Sequence, residues 1–161
     1  MSEEVVAVHG DFATGEQLRY DMGDPPWVDR YITARTVKGF LDQIPGDARV
    51  LIGYSRGAEW IRMAINAGLA PSVRTVVGYE PLALGPFMSS VPRLLIVNKY
   101  GRHWWTELGR RSAEHWAGAT LVGRGMHVRL KLKPPFIGHA WDHGVNPAVE
   151  RWVGIFTQDS C

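Results

Sequence analysis

The chain has 161 residues, 45% of them hydrophobic and 21% charged, with a formal net charge of +2. That balance excludes intrinsic disorder, and a charge this small gives no electrostatic footprint for nucleic acid. One cysteine, Cys161, excludes an intramolecular disulfide, and no apolar run reaches membrane-spanning length.

The expectation is one cytoplasmic domain over residues 1–161, long enough to bury roughly 70% of its unfolded surface. The start, Met1-Ser2-Glu3-Glu4, lacks the basic segment and apolar core of a signal peptide. Residues 5–8 are a short β-branched run that ends in His9-Gly10 and reads as a buried strand. Val37, Phe40, Leu41 and Ile44 sit at helical spacing, and Pro45-Gly46-Asp47 stops that helix. Residues 49–52 form a second buried strand leading into Gly53-Tyr54-Ser55, and residues 57–67 a second helix with Gly68 as its stop. Residues 73–79 and 93–98 repeat the strand pattern after Pro71 and Pro92.

A weaker helix is predicted over 105–117 and a further strand over 119–122. In residues 126–133, Met126, Val128, Leu130 and Leu132 alternate with His127, Arg129, Lys131 and Lys133, which reads as a strand with one wet face. Its basic side chains suit an edge strand guarded against edge-to-edge pairing, ahead of an anion-attracting surface. A last helix opens at Asn146-Pro147 and presents Val149, Trp152, Val153 and Phe156 on one face. Strands alternating with helices imply an α/β fold, with a compact, mainly parallel sheet covered by helices on both faces.

Gly53-Tyr54-Ser55-Arg56-Gly57 is a G-x-S-x-G sequence lying between a predicted strand and a predicted helix. In that context the glycines let neighbouring backbone approach, the serine hydroxyl stands proud of the sheet, and the helix N-terminus offers N–H groups to an oxyanion. A serine hydroxyl is a weak nucleophile at neutral pH and needs a base. Histidine, with an ordinary pKa of about 6.5, is suited to accept its proton and return it to the leaving group. His139, His143, His103 and His9 are the candidates for that base. A metal held by His139 and His143 lacks a third ligand, so neither metal nor cofactor is expected.

Three segments in order resemble landmarks of the α/β-hydrolase superfamily: the strand ending in His9-Gly10, the turn at Ser55, and Gly138-His139 followed by Asn146-Pro147 and the closing helix. The resemblance spans nearly the whole chain and implies a minimal α/β-hydrolase fold. It implies a triad with Ser55 as nucleophile and His139 as base, and an oxyanion hole from the amides of Asp11 or Phe12 and of Arg56. The sequence departs from the family at the acid, where residues 93–98 are followed by Lys99-Tyr100-Gly101-Arg102-His103 with no carboxylate. Glu80, directly after the preceding strand, is the candidate acid, with Asp142 and Glu107 behind it.

Tyr20, Trp27, Tyr31, Trp104 and Trp105 are candidates to line an aromatic pocket above the strand C-termini, whereas Trp60 and Trp152 read as core. The expected activity is cofactor-free hydrolysis of a small-molecule acyl ester or thioester through an acyl-serine intermediate, with no nucleic-acid partner. The alternative is a catalytically degenerate α/β-hydrolase fold that binds a ligand or protein, motivated by the missing acid.

Overall fold

The computed structural model describes residues 4–10, 14–21, 24–79, 81–82, 85–87, 93–100, 111–112, 114–116, 118, 124–131 and 151. Along the chain these give β1 Val5–Gly10, α1 Gly15–Asp21, β2 Arg30–Ala34, α2 Val37–Gln43, β3 Val50–Tyr54, α3 Gly57–Asn66, β4 Thr75–Tyr79, β5 Arg93–Tyr100 and β6 Arg124–Lys131. The strands form one six-stranded sheet in the order β2-β1-β3-β4-β5-β6. Every pairing is parallel. The expected α/β class is therefore the observed one.

The central strands β3 and β4 are buried along their whole length, which is why they read as unbroken apolar runs. Their side chains alternate between two cores. Val6, Val8, Leu51, Val76, Leu94 and Ile96 pack with Phe40 of α2, Ala58, Ile61 and Ala64 of α3, and Trp116. Val5, Ala7, Val50, Ile52, Val77, Leu95 and Val97 face the other way, with Leu18 of α1 and Val28. Helices thus cover both faces, and burying each of these large side chains is worth about 1.5–3 kcal/mol.

Two register partners in the sheet centre, Gly53 and Gly78, form a notch on the first face. A Cβ on Gly53 would lie 2.6 Å from the Ala58 Cα, and one on Gly78 would lie 2.5 Å from the Trp116 ring. The missing side chains let α3 and Trp116 settle directly on the backbone of the sheet.

The helix boundaries follow from capping chemistry. Thr36 caps α2, its Oγ1 accepting from the Gly39 N–H at 3.0 Å. At the far end of α3, Gly68 takes φ +70°, while its N–H donates to the Ile65 carbonyl and the Leu69 N–H to that of Ala64. This paired bonding closes the helix where Gly68 was expected to stop it.

Two elements, α1 and β2, were not foreseen. The α1 sequence buries only Leu18 deeply, so it shows no apolar stripe. β2 is a short edge strand of sequence Arg-Tyr-Ile-Thr-Ala, too polar to stand out as a buried run. Among the described residues β6 lies at the opposite edge and runs from Arg124 to Lys131, starting two residues before the strand expected over 126–133. Of the helix predicted over 105–117, the described residues Arg111, Ser112, Glu114, His115 and Trp116 are helical, as is Gly118 beyond it. The strand predicted over 119–122 lies outside the described residues, as does the closing helix apart from Arg151, which is helical.

Candidate active site

Ser55 follows β3 directly and has φ +56°, in the left-handed region that a side chain normally avoids at a cost of about 1–2 kcal/mol. Such a conformation persists only where its surroundings impose it. Here the Ser55 N–H donates to the Tyr79 carbonyl at 3.1 Å, and the Ser55 carbonyl accepts from Ala58 at 3.2 Å and from Leu82 at 3.0 Å. The residue is 5% exposed and sits at the C-terminal edge of the sheet, between β3 and α3.

The glycines around the serine have separate duties. Gly53 admits Ala58, so that α3 folds back over β3. A Cβ on Gly57 would collide with the carbonyl of Val8, so the first turn of α3 rests directly on β1. Gly10, at the end of β1, would place a Cβ 2.6 Å from the Cβ of Arg56. The chain therefore leaves β1 beside the residue that follows Ser55, which is the spatial relation an oxyanion site built from both segments requires.

Arg56 occupies the N-cap of α3, and its guanidinium lies 5.4 Å from the ring centroid of Trp60, one turn on. Trp60 is in turn fixed by a buried hydrogen bond from its Nε1 to the Ala34 carbonyl at 2.8 Å. The side chain of Arg56 is thus directed along the helix, while its backbone amide belongs to the first turn, where the helix dipole favours negative charge.

Beneath this turn, His9, Tyr54 and Tyr79 are successive register partners on β1, β3 and β4. The His9 and Tyr54 rings meet edge to face at 4.7 Å, and those of Tyr54 and Tyr79 lie 5.4 Å apart. His9 is therefore half-buried against an aromatic row.

Glu80 lies outside the described residues, but its chain neighbours Tyr79 and Leu82 both bond the backbone of Ser55. Asp11, Phe12 and His139 also lie outside them, as do His103, His143, Glu107, Asp142, Trp104 and Trp105. Among the described residues, no group of three or more His, Cys, Asp or Glu could hold a metal, and no helix is long and apolar enough to cross a membrane.

The aromatic pocket is redrawn by the fold. Trp27 and Tyr31 pack against the core on the α1 face, as core aromatics, while Tyr20 is 76% exposed. The Tyr31 hydroxyl is buried without a hydrogen-bond partner among the described residues. Burial, reinforced by the nearby Asp24 carboxylate, pushes its pKa up to about 12. Trp60 is core, as expected.

One arrangement near the site was not anticipated. Glu59 and Arg62 on α3 form a bidentate ion pair with side chains only 5% and 15% exposed. Hydrogen bonding to Glu59 raises the Arg62 pKa despite its burial. The i,i+3 spacing is readable in sequence, but it ordinarily marks a solvated helix face.

No family model and no curated protein matches the chain. Among solved structures it is similar to an arylesterase, with a TM-score of 0.61 at 10% identity, over 99% of this chain and 77% of that one. It is also similar to YahD, in a structure with malic acid, with a TM-score of 0.58 at 12% identity, over 96% of this chain and 93% of that one. With this parallel sheet and these likenesses, the chain has an α/β-hydrolase-like fold in minimal form.

Proposed function

We propose that the chain is a serine hydrolase acting on small carboxylic esters or thioesters. The observation that carries this reading is Ser55 at φ +56° on a strand-to-helix turn whose three close approaches are met by Gly10, Gly53 and Gly57. That geometry sets a serine between a strand end and a helix N-terminus, the setting a nucleophile on such a turn requires. The likeness to an arylesterase supports ester substrates.

In this mechanism the Ser55 Oγ attacks the acyl carbon as its proton passes to a ring nitrogen of His139. The oxyanion is held by the amide of Arg56 and by that of Asp11 or Phe12. Collapse breaks the bond to the alcohol or thiol, which leaves with the proton from His139. Water, deprotonated by His139, then attacks the acyl carbon; the bond to Ser55 Oγ breaks, Oγ takes the proton back from His139, and the carboxylic acid is released. Glu80 is the acid that orients His139 and stabilises its cation. The chemistry calls for no cofactor, and the proposed setting is the cytoplasm.

A fluorophosphonate probe tests the reading. A single adduct on Ser55, lost in Ser55→Ala together with ester turnover, is the expected result. Labelling elsewhere, or turnover unchanged in Ser55→Ala, overturns it.

A further inference from the structure

We infer that Glu59, Arg62 and Asn66 of α3 form a clamp that positions the loop after β4 against the Ser55 turn. The chain after β4 is attached to the β3–α3 unit at two points. At the near end, Ser55 donates to Tyr79 and accepts from Leu82. Further along, the Pro86 carbonyl accepts from Arg62 Nη1 at 3.3 Å and from Asn66 Nδ2 at 3.2 Å. Phe87, next in the chain, lies edge-on to Trp116 at 4.7 Å.

The ion pair explains how Arg62 can serve this purpose. Its Nε and Nη2 donate to the two carboxylate oxygens of Glu59, which locks the guanidinium plane and leaves Nη1 directed at Pro86. The i,i+4 pair on α2, Lys38 with Asp42, has side chains 83% and 62% exposed and touches no other element through that bond. Burying the Glu59–Arg62 charges instead incurs a desolvation cost that two apolar side chains would avoid, so the pair's return lies in direction rather than stability.

The hydrogen bonds among the described residues run from Arg62 to Glu59 and from Arg62 and Asn66 to Pro86, which gives the three side chains a positioning role. Because α3 begins at the Ser55 turn and also holds Pro86, one helix joins the backbone at Pro86 to the residue that bonds Tyr79 and Leu82. The catalytic consequence rests on the serine-hydrolase reading; the attachment itself does not.

The test is the double substitution Glu59→Leu with Arg62→Met, which removes both charges of the pair at once. Arg62→Lys, which keeps a charge without the planar fork, and Asn66→Ala accompany it. Hydrogen exchange at the Leu82 and Ser55 amides is measured alongside kcat and KM, with the amides of Leu51 and Ile52 in β3 as internal reference. The expected result for the double variant is at least a tenfold loss of protection at Leu82, with β3 unchanged. A fall in kcat of about 10- to 100-fold should accompany it while KM moves less than about threefold, the signature of misplaced groups rather than lost binding. Arg62→Lys and Asn66→Ala should fall between it and the wild type. Unchanged protection at Leu82 overturns the clamp, and lost protection with unchanged kcat overturns its positioning role. Absence of ester turnover in the wild type would instead count against the serine-hydrolase reading, while the exchange measurement still decides whether the clamp exists.

Discussion

The backbone N–H of Ser55 donates to the carbonyl oxygen of Tyr79 at 3.1 Å, one residue past the last register pair of β3 and β4, Tyr54 with Tyr79. A return bond runs from the Leu82 N–H to the Ser55 carbonyl at 3.0 Å. The positive φ of Ser55 is therefore imposed by the sheet edge as well as by the start of α3, and the strain it stores has measurable consequences.

Ser55→Gly should stabilise the protein. Glycine adopts φ +56° freely, relieving about 1–2 kcal/mol of strain against about 0.5–1 kcal/mol of added chain entropy in the unfolded state. A net gain of about 0.5–1 kcal/mol in urea denaturation, together with loss of ester turnover, is the expected outcome. A destabilised variant would show that the Ser55 side chain contributes more to folding than its backbone strain costs.

Gly57→Ala should be severe. The added methyl meets the Val8 carbonyl, which is fixed backbone in β1, so α3 must lift from the sheet. Overpacking of this kind costs about 1–3 kcal/mol or more, and the displaced turn should lower turnover with it. Gly46→Ala is the control, because nothing lies within 4 Å of a Cβ there. Equal melting temperatures for the two variants would contradict the packing described.

The assignment of His139 as base makes a kinetic prediction. The profile of kcat/KM should rise with pH through an apparent pKa within about a unit of 6.5, as the imidazole loses its proton and becomes able to accept that of serine. His139→Gln should remove this limb with most of the activity. If His143→Gln does so and His139→Gln behaves as wild type, the base is His143.

Tyr31 should make stability fall at high pH. Its phenol ionises near 10 when unfolded but is pushed up to about 12 in the fold, first by burial and then by Asp24. Between those values the unfolded chain has released a proton that the folded chain retains, so stability present below about pH 10 declines as pH rises toward 12. Tyr31→Phe should flatten that part of the curve. It should also cost little at neutral pH, since the hydroxyl it removes is buried without a partner among the described residues. An identical alkaline slope in Tyr31→Phe would assign the effect to other groups.

The sequence alone determined the parallel framework and the setting of Ser55. β1, β3, β4 and β5 are legible because strands buried on both faces must be apolar throughout, and α2 and α3 because their stops are chemical, at Pro45 and Gly68. The G-x-S-x-G spacing likewise signals a strand-to-helix turn. β2 and α1 escape such reading because an edge strand and a seven-residue helix with one deeply buried leucine need little apolar patterning. Only the tertiary structure decided which backbone each glycine admits, and that Tyr79 and Leu82 grip Ser55. It also decided that Trp27 and Tyr31 belong to the α1 core, and that Glu59 and Arg62 turn inward to hold Pro86. These relations join residues far apart in the chain, and their physical basis is burial and direction. Local spacing encodes the period of an element, but what lies across from it is set only when the sheet brings its strands into register.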